Sequence, residues 1–220
     1  ALAVKTPGKH PAGATPIVGF DMLQPTLDQC SLACAAGGDE FDQCGFAGRG
    51  PGGIEGGKIK TLLGGGISQA TTTTFNAIFF AGLEDVYHKP HSLYFSRYPV
   101  GREATLDWQS VDMKFRNDSP YGVVLQAWTT GKVGQTGSVT VRVWSTKRYT
   151  IKASTPVRSN YRSPGATQYD DSPGCVAQSA MSGFDVRYKR LFYRDGKLIK
   201  SEPFFWRYNT LTPVVCGKKP

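Results

Sequence analysis

Ser68-Gln69-Ala70-Thr71-Thr72-Thr73-Thr74-Phe75-Asn76-Ala77-Ile78-Phe79-Phe80-Ala81-Gly82-Leu83 is the stretch whose reading decides the fold. Its apolar residues, Phe75, Ala77, Ile78, Phe79, Phe80 and Ala81, cover nearly the whole circumference of a helix. That pattern predicts a helix buried on all sides rather than one lying on a surface. Ser68 is placed to cap its start and Gly82 to mark its end. The run Thr71–Thr74 is poor helix material, because branching at Cβ restricts the side chain and the hydroxyl competes for backbone groups. Packing must hold this helix.

The texture changes on either side of it. Upstream, residues 1–29 are rich in proline and turn formers with little periodicity, and 12 of the 26 glycines fall between positions 37 and 66. Such a stretch reads as loop, with short strands at most, such as 57–63. Downstream the reading is almost entirely β: Ser92–Tyr98, Val111–Arg116, Gly122–Trp128, Ser138–Trp144, Tyr149–Ser154, Phe184–Tyr193 and Lys197–Tyr208. Val139, Val141 and Val143 alternate with Thr140 and Arg142, the pattern of a half-buried strand. Asp195-Gly196, between two strands, is a two-residue hairpin signal. Residues 155–182 form a Pro/Ser/Gly-rich excursion that Cys175 can tie down. The expected class is α+β: a β-rich mixed-sheet domain with one buried central helix, about 68–83, and a C-terminal β-hairpin. The expected organisation is an irregular Gly/Cys-rich region over 1–53, a core over 54–154, and the excursion with a basic hairpin over 155–220.

Charge is unevenly spread. Residues 142–220 hold 15 of the 26 basic side chains and 5 of the 17 acidic ones, so the net charge of +9 resides in the last third. A basic face of this kind favours polyanions: nucleic acid, anionic lipid or anionic wall polymer. The cations alternate with Val, Tyr and Phe over 186–192, as on a solvent-facing strand, and no nucleic-acid motif accompanies them. No apolar run approaches the ~20 residues of a membrane helix.

Five cysteines stand at 30, 34, 44, 175 and 216. No nearby histidine completes a metal set with Cys30, Cys34 and Cys44, and no metal or cofactor is expected. Disulfides in an oxidising compartment are the preferred reading, with Cys175–Cys216 the leading pair, Cys30 and Cys44 further candidate cysteines, and one of the N-terminal three left over. The chain begins Ala-Leu-Ala-Val, as a processed exported chain or an excised fragment would.

Three constellations could carry chemistry. Gly64-Gly65-Gly66-Ile67-Ser68-Gln69 leads into the helix, where the dipole and free backbone N–H groups assist a nucleophile. The simpler reading makes Ser68 a cap behind a glycine loop. His88-Lys89-Pro90-His91-Ser92 precedes a strand, and Pro90 forbids a helical metal pair. His91 there could serve as a base or simply sit satisfied at a turn. Gly101-Arg102-Glu103-Ala104-Thr105, then Asp107, supply an acid to orient His91. Nucleophile at a helix start, then His, then acid is the chain order of papain- and transglutaminase-like folds. In those folds the nucleophile is Cys, and serine is far harder to ionise.

At these residues the sequence resembles the VanW-like family, named from a vancomycin-resistance gene cluster. The resemblance rests on residues 64–69, Asn76-Ala77, Ala81-Gly82-Leu83-Glu84, Pro90-His91-Ser92, residues 98–105 and Asp112-Met113-Lys114-Phe115-Arg116-Asn117. It covers about residues 54–128, making the 54–154 core VanW-like. The hairpin 188–208 looks like the C-terminal part of longer actinobacterial members. Many members carry Cys where Ser68 stands and Asp where Glu103 stands, so a Cys–His–Asp mechanism does not carry over unchanged. The resemblance implies an exported or surface-anchored bacterial protein, often beside peptidoglycan-binding modules, and implies no reaction.

The leading expectation is an extracytoplasmic cell-envelope protein, binding or structural, whose partner is cell-wall polymer or an envelope protein complex. No nucleic-acid partner and no transmembrane segment in this chain are expected. The alternative is a peptidoglycan-directed hydrolase or acyltransferase, with Ser68 as nucleophile, His91 as base and Glu103 or Asp107 as orienter. Gly64, Gly65, Gly66, Gln69 and Arg102 are the candidate binding residues. A third reading is an assembly subunit docking through Phe204, Phe205 and Trp206.

Overall fold

The computed structural model of the 220-residue chain describes residues 15–24, 52–55, 58–61, 67–107, 110–130 and 137–219. In chain order the elements are β1 (Thr15–Gln24), β2 (Gly52–Glu55), β3 (Lys58–Thr61), α1 (Ile67–Ala81), β4 (Glu84–Tyr87), β5 (Lys114–Arg116) and β6 (Val124–Thr130). They continue with β7 (Gly137–Ser145), β8 (Thr150–Ala153), β9 (Val157–Arg162), β10 (Gln168–Asp170), β11 (Gly183–Arg194), β12 (Lys197–Tyr208) and β13 (Val214–Cys216). The class is mixed α+β: mostly strands, with a single helix among the described residues packed against the sheets.

Two sheets sandwich the helix. The first has strand order β1-β7-β6, all antiparallel. In the second, β11 lies between β12 on one edge and both β8 and β9 on the other. One side of α1 (Ala77, Ile78, Ala81) packs with Leu83 against Val141 and Val143 of the first sheet. Another side (Phe75, Phe79) packs against Tyr188 and Ala104, with Phe204 and Ile151 closing the cluster. A helix apolar all round is thereby explained: each face has a sheet of its own. Each of Phe75, Ile78 and Phe79, exposed by 2% or less, contributes about 2 kcal/mol on burial.

The threonine run is accommodated by its own backbone. Thr71, Thr73 and Thr74 donate their hydroxyls to the carbonyls of Ile67, Gln69 and Ala70 at 2.7–2.9 Å. The helix stops at Gly82 (φ 78°), where Leu83 N donates to Ile78 O and Gly82 N to Phe79 O. This is the two-bond Schellman termination, with its Ile78–Leu83 apolar contact. The carbonyls at this end also receive a cation. Arg190, 0% exposed, donates from Nη2 to Leu83 O at 2.9 Å and to Ile78 O at 3.4 Å. Its guanidinium lies over the Phe79 and Phe192 rings. A positive charge at a helix C-terminus is favourably placed.

The hairpin of β11 and β12 follows the expected signal: Asp195 (φ 49°) and Gly196 (φ 77°) both take the left-handed conformation of a two-residue turn. Cys175 and Cys216 form a disulfide with Cα atoms 5.7 Å apart and a sequence separation of 41 residues. Closing a loop of that length restricts the unfolded chain by about 4 kcal/mol in the chain-entropy account. The bond ties the excursion to β13, which pairs in parallel with β10.

Some expectations are corrected. Ser68 is the second residue of α1, not its cap, because the helix begins at Ile67. Ser92–Tyr98 forms no strand. Its backbone turns instead, with Tyr98 N donating to Phe95 O, and Leu93 and Tyr98 are buried without a ladder partner. Residues 155–182 contain β9 and β10, and the unperiodic N-terminal stretch contains β1, whose partner β7 lies more than a hundred residues away. The short strand expected within 57–63 is β3. Among the described residues no helix is long and apolar enough to cross a membrane.

Candidate functional site

Between β4 and β5 the chain leaves the sheet as a strap. Its ends are drawn together where Thr105 donates from both N and Oγ1 to Lys89 O, at 2.9 and 2.8 Å. At Pro99–Arg102 it makes a turn closed by Arg102 N to Pro99 O, with Gly101 at φ 73°. A Cβ at Gly101 would stand 2.8 Å from the Tyr188 ring, so both conformation and space demand glycine.

The polar groups of α1 clamp this strap. Thr72 Oγ1 donates to Ala104 O and accepts from Ala104 N, both at 3.1 Å. Asn76 donates to Arg102 O at 2.9 Å and to Thr72 O at 2.8 Å, and accepts from Arg102 Nη1 at 3.2 Å. From the other side Tyr188 donates to Gly101 O, and Gly101 N donates to the Tyr208 hydroxyl. Residues 101, 102 and 104 are thus fixed, and Glu103 between them has one direction left, inward.

Glu103 is 0% exposed. His91 Nδ1 meets its Oε2 at 2.5 Å, and the Tyr208 hydroxyl donates to its Oε1. The His91 ring stacks on Tyr98 and meets Phe95 edge-on, while its carbonyl accepts from Trp206 Nε1 at 2.8 Å. Burial, then the neighbouring carboxylate, holds the Tyr208 phenol well above its ordinary range, so it serves as a neutral donor. With Nδ1 committed to Glu103, Nε2 is the His91 nitrogen left for proton transfer. This is how a carboxylate orients a general base, and it is equally a way to neutralise a buried acid.

Of the expected residues, the structure joins His91 with Glu103. Asp107 is exposed; it accepts from the Ser110 hydroxyl, bridges to Val111 and has no hydrogen bond or ion pair to His91. Ser68 is partly exposed, and no hydrogen bond joins it to His91. Gln69 is buried, its amide nitrogen without a hydrogen-bond partner. Arg102 serves the strap: it binds Asn76 and lies over the Phe80 and Phe79 rings, and burial lowers its pKa. Gly64, Gly65, Gly66, Cys30, Cys34 and Cys44 lie outside the described residues. His88, the other member of its motif, binds Asp85 at 2.6 Å and stacks on Phe75. Among the described residues no group of three or more metal-ligating side chains is placed to hold a metal ion. Sequence reasoning missed Tyr208, Thr72 and Asn76, whose partners lie 26–105 residues away without a local signal.

The outward face of the second sheet is a different environment. Register places Val157, Arg187 and Phe205 in one cross-strand row, Ser159, Asp185 and Arg207 in the next, and Lys189 opposite Pro203. Asp185 is sealed by Arg207 (2.9 and 3.1 Å), Arg162 (2.9 Å) and Asn160 (2.9 Å). These donors, Arg207 first, hold its carboxyl well below the usual range. Among the described residues neither Arg187 nor Lys189 has a carboxylate partner.

The sequence over residues 43–144 matches the family described as VanW like protein. This segment is VanW-like. It spans α1, the strap, β6 and β7 as far as Trp144, and it stops before the hairpin. The resemblance expected over residues 54–128 falls inside it. The chain is also similar to a Bacillus subtilis protein described as uncharacterized protein YoaR: 33% identity over 89 residues, 40% of this chain and 28% of that protein. The chain thus covers under a third of that relative's length. No solved structure matches this chain.

Proposed function

We propose that this is an extracytoplasmic cell-envelope protein that binds an anionic envelope polymer through the outward face of its second sheet. The observation that carries the reading is the pair Arg187 and Lys189, exposed on that face and uncompensated while nearby Asp185 is fully engaged by other donors. The concentration of basic side chains in the last third, the Cys175–Cys216 disulfide and the VanW-like segment support it. In this reading His91, Glu103 and Tyr208 form a lock that fixes the strap to the hairpin. Retention of the folded chain on purified cell wall at low salt, with release as salt rises, is the expected result. Absence of retention at low salt overturns the reading.

The His91–Glu103 pair favours a second reading, a hydrolase or acyltransferase on peptidoglycan peptides with His91 as base. It needs a nucleophile against His91 Nε2. Release of peptide fragments from purified peptidoglycan, abolished in His91→Gln and in Ser68→Ala alike, would establish it; activity indifferent to Ser68→Ala would remove Ser68 from the mechanism.

A further inference from the structure

Between β9, β11 and β12 the outward sheet face is hollowed into a groove of about 670 Å³, within the size range of ligand sites. Its lining includes Ser154, Thr155, Val157, Lys189, Pro203 and Phe205. Val157 and Phe205 are 64% and 49% exposed and lie in one cross-strand row. They flank Arg187, which is held ready: its guanidinium lies 4.7 Å over the Phe205 ring and its Nη1 reaches Ser159 Oγ at 3.4 Å. A stacked guanidinium presents its remaining N–H edge as a flat fork, a shape that fits a carboxylate. Lys189 adds a second cation two residues along the same face of the same strand.

We propose that this groove binds a carboxylate-bearing polysaccharide. The inference rests on the envelope-binding reading and names the ligand class and the residues. Three features select the ligand. Two uncompensated cations call for an anion. An exposed apolar floor of Val157, Pro203 and Phe205 suits the C–H faces of sugar rings and would be wasted beneath a bare phosphate chain. The β11 main chain under the groove is already paired to β9 and β12, and Ser154 and Lys189 exchange bonds of 2.8–2.9 Å. Strand β11 under the groove therefore offers no free edge to an extended peptide, and recognition on it falls to side chains.

The test uses the whole chain and three probes: polygalacturonate, neutral dextran and inorganic polyphosphate, compared by calorimetry and affinity electrophoresis. Wild type is expected to bind polygalacturonate and not dextran. Arg187→Gln with Lys189→Gln is expected to weaken binding about ten-fold or more. Phe205→Ala, which leaves the charge untouched, is expected to weaken it several-fold, and Lys147→Gln, an exposed cation outside the groove lining, to leave it unchanged. Circular dichroism and melting establish that each variant is folded; these side chains are exposed, and if Phe205→Ala fails to fold, Phe205→Leu replaces it with the same expectation. Equal binding by Phe205→Ala and wild type overturns the proposal, as does tighter binding of polyphosphate than of polygalacturonate. If wild type is retained on purified wall and the groove variants are retained equally, this inference alone falls. If wild type is not retained at all, the envelope-binding reading falls with it.

Discussion

Glu103 and Asp185 are both sealed from solvent at 0% exposure, and the regions around them solve that problem with opposite means. Asp185, on the hairpin, is surrounded by permanent cations and an amide: Arg207, Arg162 and Asn160. Glu103, on the strap, has one phenol and one imidazole. The first environment can only hold an anion. The second pairs the acid with an imidazole, which has one nitrogen for the carboxylate and another left over, whereas a guanidinium offers only donors. Asp185 also draws on side chains that are partly wet, Arg207 at 60% and Arg162 at 34% exposure, whereas the Glu103 surroundings are almost dry. One carboxylate marks a surface clasp and the other an interior joint.

Breaking the interior joint has the larger consequence. Glu103→Ala leaves the Tyr208 hydroxyl and His91 without their partner in a dry site, and a loss of about 3–5 kcal/mol is expected in urea unfolding. Tyr208→Phe, which keeps the shape, removes a single donor and costs about 1–3 kcal/mol. If the two variants were equal in stability, His91 would contribute nothing to the joint.

The clasp is sharpened by pH. The Asp185 carboxyl is held below its unfolded value, so its contribution is fully present above about pH 4 and is lost as pH falls toward the lowered folded value. The melting-temperature gap between wild type and Asp185→Asn should be constant from neutrality down to about pH 5, then close on further acidification. A gap independent of pH down to about pH 3 would mean that Asp185 acts by shape and not by charge. The smallest effect is expected from the other acid near the strap: Asp107→Ala, at an exposed turn, should stay within about 0.5 kcal/mol of wild type.

The same contrast explains what could be read from sequence. The helix, the Asp195-Gly196 hairpin and the Val139–Val143 strand carry their signals within a few residues, and all three formed where expected. Cys175–Cys216 was legible from composition and position. Glu103 and Asp107 were indistinguishable as partners for His91, because both follow it on a short polar stretch; only the Thr72 and Asn76 clamps decide which is turned inward. Tyr208 was invisible for a plainer reason: nothing in Trp206-Arg207-Tyr208 announces a partner 105 residues earlier. Ser92–Tyr98 misled because its aromatic and apolar residues suit a strand, and here they pack from turns. Strands β1 and β9 exist through partners remote in sequence, β7 and β11.

The reach of Tyr208 also sets an order of events. Glu103 and the Gly101 amide find their phenol only after the final hairpin has been made, since Tyr208 closes β12. Until then Glu103 lacks the hydroxyl that donates to it, and the Gly101 amide lacks its acceptor. Helix α1 and the β6–β7 pair are local and can form without the hairpin, whereas the dry pocket around Glu103, like the β1–β7 pairing, waits on the slow closure of more than a hundred residues. A chain stalled before β12 would hold its acidic strap open to water, and the closing hairpin is the step that turns a loose core into a finished one.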